Sequence, residues 1–166
     1  MSTRVGRIKG HRFHGDPQRF EALAEFIGQN YQGTVKRIAD VAGGQGMLAR
    51  ILKKRYNFDV TVIDPRPHVL KGVHNIASEY SSETADYYDL IVGLHPDQAL
   101  IDVVQSALVR PVIVIPCCNF WSEEETLGRD ALLEDIKVFF DENNISYQEV
   151  VFDFRGPKNI GLVTSI

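Results

Sequence analysis

The stretch RIADVAGGQGMLARILKKRYNFDVTVIDP, residues 37–65, decides the fold. It opens on a short apolar run, Arg37 to Ala42, with the length of a buried strand. Gly43, Gly44 and Gly46 follow at once, and Met47 to Arg55 then reads as a helix that the glycine loop opens. The next run, DVTVID at 59–64, is a second strand, stopped by Pro65 and Pro67. Strand, glycine turn, helix and strand make one βαβ unit, which implies parallel strands.

The same alternation continues in both directions. Upstream, Asp16-Pro17 is a helix start, with Asp as cap and Pro at the first helical position. Phe20, Leu23, Ile27 and Tyr31 recur at helical spacing, and Gly33 closes that region. Downstream, a short strand is expected near Val73 to Ala77 and another apolar one at 88–94. Pro96-Asp97 opens a helix carrying Leu100, Val103, Val104, Ala107 and Leu108. PVIVIP at 111–116 is apolar enough to be buried on both faces. Leu127, Ala131, Leu132, Ile136, Phe139 and Phe140 mark a long amphipathic helix. Strands are expected at about 147–154 and 159–165, and Gly156-Pro157 between them predicts an antiparallel pair. The whole pattern predicts an α/β fold: a doubly wound, mostly parallel sheet with helices on both faces.

Composition bounds the reading without deciding it. The chain has 166 residues, 44% hydrophobic and 24% charged, as expected for one globular domain. No apolar run approaches the roughly 20 residues that span a bilayer. The N-terminus lacks the apolar segment of a secretory signal, so a cytoplasmic location and no membrane partner are expected. Charge is uneven. Residues 1–20 hold five basic side chains (Arg4, Arg7, Lys9, Arg12 and Arg19) against Asp16 alone. The rest holds thirteen basic residues against twenty-one acidic. Residues 1–15 thus read as a basic arm before a domain at 16–166, and a phosphate-rich partner would suit that arm.

The glycine loop carries the first chemistry. Its glycines let a ligand lie against bare backbone, beyond the carboxyl end of a parallel strand, where open α/β sheets bind ligands. Asp64 ends the next strand, where an acidic residue accepts hydrogen bonds from a ribose diol. A nicotinamide cofactor is one candidate, because Gly44-Gln45-Gly46-Met47-Leu48-Ala49 fits G-x-G-x-x-A with Asp64 twenty residues on. Asp40 argues against it. A carboxylate just before the glycines repels a pyrophosphate and suits an ammonium group.

At these residues the sequence resembles the class I S-adenosylmethionine-dependent methyltransferases. Asp40, Ala42, Gly43, Gly44 and Gly46 match their first motif, and Asp64 matches the acidic residue closing their second strand. The resemblance covers roughly residues 16–166. It implies a seven-stranded sheet with an antiparallel last strand, S-adenosyl-L-methionine as cofactor, and methyl transfer as the activity. Glu79, Ser81 and Ser82 are candidates for the adenine contact, and Gly93 for the cofactor cleft.

The acceptor side rests on two later strand ends. Gly93-Leu94-His95-Pro96-Asp97 places His95 where the family's acceptor approaches, with Asp97 read as a helix cap. Cys117-Cys118-Asn119-Phe120-Trp121 offers Asn119 to hydrogen-bond a flat acceptor, and Phe120 or Trp121 to stack on it. A Gly-Leu-His end paired with a later Cys-Cys resembles methyltransferase-like domains that include RNA-modifying enzymes. His95 and Asn119 are therefore the candidate catalytic residues, and RNA is the acceptor slightly favoured over a small molecule or a protein. A cofactor-binding scaffold without catalysis is the alternative. Phe13 and His14 would close over the cofactor, while Lys9, His11 and Arg12 would meet an anionic acceptor. His95 with Cys117 and Cys118 lacks acidic support, so no metal site is expected. A domain this small leads to the expectation of a homodimer or a partner subunit.

Overall fold

The computed structural model describes residues 16–165 apart from Pro67, Thr126 and Pro157. The basic arm, with Lys9, His11, Arg12, Phe13 and His14, lies outside the described residues.

Seven strands form one sheet: β1 (Arg37–Val41), β2 (Asp59–Ile63), β3 (His74–Ile76), β4 (Leu90–Leu94), β5 (Val112–Ile115), β6 (Ser146–Val151) and β7 (Ile160–Ser165). Their order across the sheet is β3-β2-β1-β4-β5-β7-β6. The first five run parallel, and β7 is antiparallel to both neighbours. The chain order reverses at β1, which lies between β2 and β4. Among the described residues, four α-helices cover the sheet: α1 (Gln18–Tyr31), α2 (Met47–Tyr56), α3 (Leu100–Gln105) and α4 (Arg129–Glu142).

Side-chain alternation along the strands divides the core in two. Ile38, Val60, Val62, Leu90, Val92, Ile113 and Ile115 point to one face. There they meet Phe20, Leu23 and Ile27 of α1, and Leu48, Ala49 and Leu52 of α2. Ala39, Val41, Ile91, Val112 and Val114 point to the other face. There they meet Leu100, Val103 and Val104 of α3, and Leu132, Leu133, Ile136 and Phe140 of α4. Every residue of β4 and β5 is buried. Burial on both faces is why those strands lack a polar alternation.

Local chemistry sets the ends. Asp16 Oδ1 accepts the Gln18 N–H at 3.0 Å, opening α1, and its Oδ2 accepts the Arg155 N–H at 2.8 Å. One carboxylate thus ties the first helix to the β6–β7 connection. Asn57, in the left-handed region at φ 60°, stops α2 and donates its N–H to the Lys53 carbonyl.

The helix expected from Pro96 is shorter than its apolar spacing suggests. A 3-10 turn spans Asp97–Ala99, α3 covers Leu100–Gln105, and a second 3-10 turn spans Ser106–Leu108. Asp97 has φ 50°, outside the right-handed helical region, and the Ser106 hydroxyl donates to the Asp102 carbonyl at 2.7 Å. The strand expected at 147–154 ends at Val151, because Phe152 and Phe154 turn into the core.

Candidate functional site

Because β1, β2, β4 and β5 are parallel, their carboxyl ends open on one edge of the sheet. Two cavities lie there, of 650 Å³ and 420 Å³, and both are lined by Ala42, Arg66, Asp97 and Cys118. The larger reaches Ile63, Asp64, Glu79, Tyr80 and Phe120. The smaller reaches Arg19, Asp40, Gly43, Gly44, His95 and Lys158.

Asp40 lines the smaller cavity, yet it is only 1% exposed, and its Oδ2 has no hydrogen-bond partner among the described residues. Burial, with the Asp64 charge nearby, pushes its carboxyl from 3.8 up to about 7. Gly43 sits directly above. A Cβ there would lie 2.5 Å from Asp40 Oδ2, so only glycine lets the loop pass this close.

Asp64, at the end of β2, lines the larger cavity. Its Oδ1 accepts from the Arg66 N–H and Nε, each at 2.9 Å. Its Oδ2 accepts from Gly44 N–H at 2.9 Å and Arg66 Nη2 at 2.6 Å. Burial opposes ionisation, but the bonds from Arg66 and Gly44 outweigh it and hold the carboxyl below its usual range. The Arg66 side chain is 61% exposed against 1% for Asp64. Its guanidinium is therefore held by Asp64 and not by burial.

His95 lines the smaller cavity at the end of β4, held at φ 52°. Its Nε2 lies 2.9 Å from the Lys158 carbonyl. A carbonyl only accepts, so Nε2 carries the proton and Nδ1 of the neutral ring keeps its lone pair. Burial, followed by the Arg19 and Lys158 charges, lowers the imidazole's pKa and favours that neutral form, against a bond to Lys158 that raises it.

Four sequence expectations need correction. Asn119 reaches neither cavity. Its Oδ1 accepts from the Trp121 and Ser122 N–H groups, and its Nδ2 donates to the Ser122 and Glu125 carbonyls. With both ends of its amide used, it organises its own loop. Gly93 is buried under α3, where a Cβ would lie 2.9 Å from Val103, so it serves packing. Gly46 shapes the turn at φ 87° and packs on Val73 without lining either cavity. Asp97 lies inside the 3-10 turn rather than at its cap position, which Pro96 holds, and its Oδ1 accepts from Cys117 Sγ at 3.3 Å.

The remaining candidates divide the same way. Glu79 lines the larger cavity, whereas Ser81 caps a 3-10 turn and Ser82 N–H bonds Asp102. Phe120 lines the larger cavity, whereas Trp121 packs edge-on against Phe139. Arg19, Arg66 and Lys158 line the cavities, and none of them stood among the site residues expected from the sequence. Arg66 had a local signal, since it follows Asp64 in a Pro-Arg-Pro run. Arg19 and Lys158 arrive from α1 and the β6–β7 connection, far from the motifs in sequence.

No family model matches the sequence, and no curated protein matches it significantly. Solved structures do match in shape. The S-adenosylmethionine-dependent methyltransferase SibL superposes with a TM-score of 0.51 at 17% identity, over 87% of this chain. This chain spans only 53% of that one. A sugar N-methyltransferase from Streptoalloteichus gives 0.57 at 12% identity, over 99% of this chain and 92% of its own. A ribosomal protein L11 methylase from Lactobacillus delbrueckii subsp. bulgaricus gives 0.56 at 22% identity, over 86% and 76%. The chain thus has the fold of the class I S-adenosylmethionine-dependent methyltransferases.

Proposed function

We propose that this chain binds S-adenosyl-L-methionine and transfers its methyl group to an acceptor, with RNA as the acceptor class. One observation carries the reading: two carboxylates on neighbouring strand ends, each in one of two cavities that share a wall. Asp40 and Asp64 match the two polar ends of that cofactor, its ammonium and its ribose diol. The unpartnered Asp40 Oδ2 is an acceptor waiting for a buried donor. Asp64 would take the diol once Arg66 gave way, and Glu79 would border the adenine.

When bound, the cofactor supplies a methyl group on an electron-poor sulfonium. The protein then has to hold the acceptor in line with that methyl and keep water out. His95 lines the smaller cavity beside Asp97, with Nδ1 able to take a proton from the acceptor. Phe120, 39% exposed at the mouth of the larger cavity, offers a flat apolar face for a base.

A nicotinamide dinucleotide fits less well. Gly44 N–H is already given to Asp64 Oδ2 and Gly46 N–H to the Gly43 carbonyl, so two donors for a pyrophosphate are taken. Asp40 adds a negative charge beside that position. The preference for RNA rests on the basic residues of the first twenty and on Phe120. Transfer of a labelled methyl group into fractionated cell extract tests it. Label that nuclease removes is the expected result, and label confined to protein or to small molecules contradicts the RNA acceptor.

A further inference from the structure

We infer that Asp97, Cys117 and Cys118 form a site for one thiophilic divalent cation such as zinc, with its remaining coordination position facing the two cavities. The inference does not rest on the cofactor reading. Asp97 follows β4 and the cysteines follow β5, so two adjacent parallel strands bring them together at the sheet's open edge. Sequence alone hid this, because Asp97 resembled a helix cap and His95 the cysteines' natural companion.

The ligand atoms of all three side chains lie within 4.8 Å of one another. Cys117 Sγ is 3.5 Å from Cys118 Sγ and 3.3 Å from Asp97 Oδ1. Two sulfurs on a tetrahedral zinc lie about 3.8 Å apart, and a sulfur and a carboxylate oxygen about 3.5 Å, given bonds of about 2.3 and 2.0 Å. The measured separations fall within a few tenths of an ångström of both. Three protein ligands and one open position is the arrangement of a reactive metal site rather than a structural one.

The surroundings also balance the charge. Two thiolates and a carboxylate around a divalent cation leave one net negative charge. Lys158 Nζ lies 3.9 Å from Cys118 Sγ, close enough to offset it and to donate a hydrogen bond to the bound sulfur. Asp97 and Cys118 line both cavities, so the fourth position opens where they meet. Water, or an anionic or sulfur atom of an acceptor, fits there.

Cobalt(II) added to the full-length reduced protein, without S-adenosylmethionine, tests the site. One equivalent should give a thiolate-to-cobalt charge-transfer band and tetrahedral visible bands, both removed by equimolar zinc. Asp97→Asn and Cys118→Ser should each weaken cobalt binding at least about tenfold. The Cys117→Ser, Cys118→Ser double variant should show no charge-transfer band. Asp97 and Cys118 are exposed, so these variants keep the far-ultraviolet dichroism of the parent, which serves as the folding control. No thiolate band in the reduced wild type, or an undiminished band in the folded double variant, overturns the proposal. A vicinal disulfide in a protein that binds no cobalt after reduction overturns it too.

Discussion

Asp40 combines a stability cost with the binding role proposed for it. Its carboxyl is raised from 3.8 to about 7, so the folded chain holds a proton that the unfolded chain releases within that window. Stability therefore falls as pH rises from about 4 to about 7, and the penalty is full above it. Asp40→Asn removes the buried charge. It should raise the melting temperature by a few degrees at about pH 8 and much less near pH 5, while weakening cofactor binding. Equal shifts at both pH values would show that Asp40 does not titrate in this range. Arg66 predicts the opposite kind of effect. Its guanidinium holds the Asp64 oxygens that a ribose diol needs, so Arg66→Ala should tighten S-adenosylmethionine binding several-fold in calorimetry. Weaker binding would mean that Arg66 itself contacts the cofactor.

At the scale of elements, β4 and α3 touch through Gly93. A Cβ at that position would meet Val103 Cγ1 at 2.9 Å inside a fully buried strand. Gly93→Ala should cost about 1–3 kcal/mol by denaturant unfolding, the range for overpacking a well-filled core. No loss would mean that α3 moves aside freely. Packing of this kind explains what the sequence showed and what it hid. The strands were legible because β-branched runs such as VIVI in β5 announce burial on both faces. Helix α3 was overextended because its apolar spacing continues through Ala107 and Leu108, while the Ser106 back-bond and the Asp97 backbone that shorten it leave no periodic trace. The site divided in the same way. Asp40, Ala42, Gly43, Gly44, Asp64 and His95 sit beside strand ends that local pattern reveals, and all line the two cavities. Asn119 was misplaced because side-chain direction within a loop is set by the hydrogen bonds that close it. Arg19 and Lys158 depend on tertiary contacts with no counterpart in any short stretch.

For the molecule as a whole, the seven-stranded sheet, its reversal at β1 and the antiparallel β7 place every motif on one edge. Described residues 16–165 are largely taken up by that sheet and its covering helices. None of the described helices is long and apolar enough to cross a membrane. On the proposed function, the described residues would meet an acceptor at the rim of the two cavities. The claim on which all of this depends is that the two carboxylates hold S-adenosylmethionine. Calorimetric titration of the purified protein with S-adenosylmethionine, and separately with NAD, tests it most directly. One equivalent of S-adenosylmethionine should bind and NAD should not, with Asp64→Ala losing at least about tenfold in affinity, or roughly 1.4 kcal/mol. Binding of NAD without S-adenosylmethionine, or an Asp64→Ala protein that binds as tightly as the parent, would contradict the account.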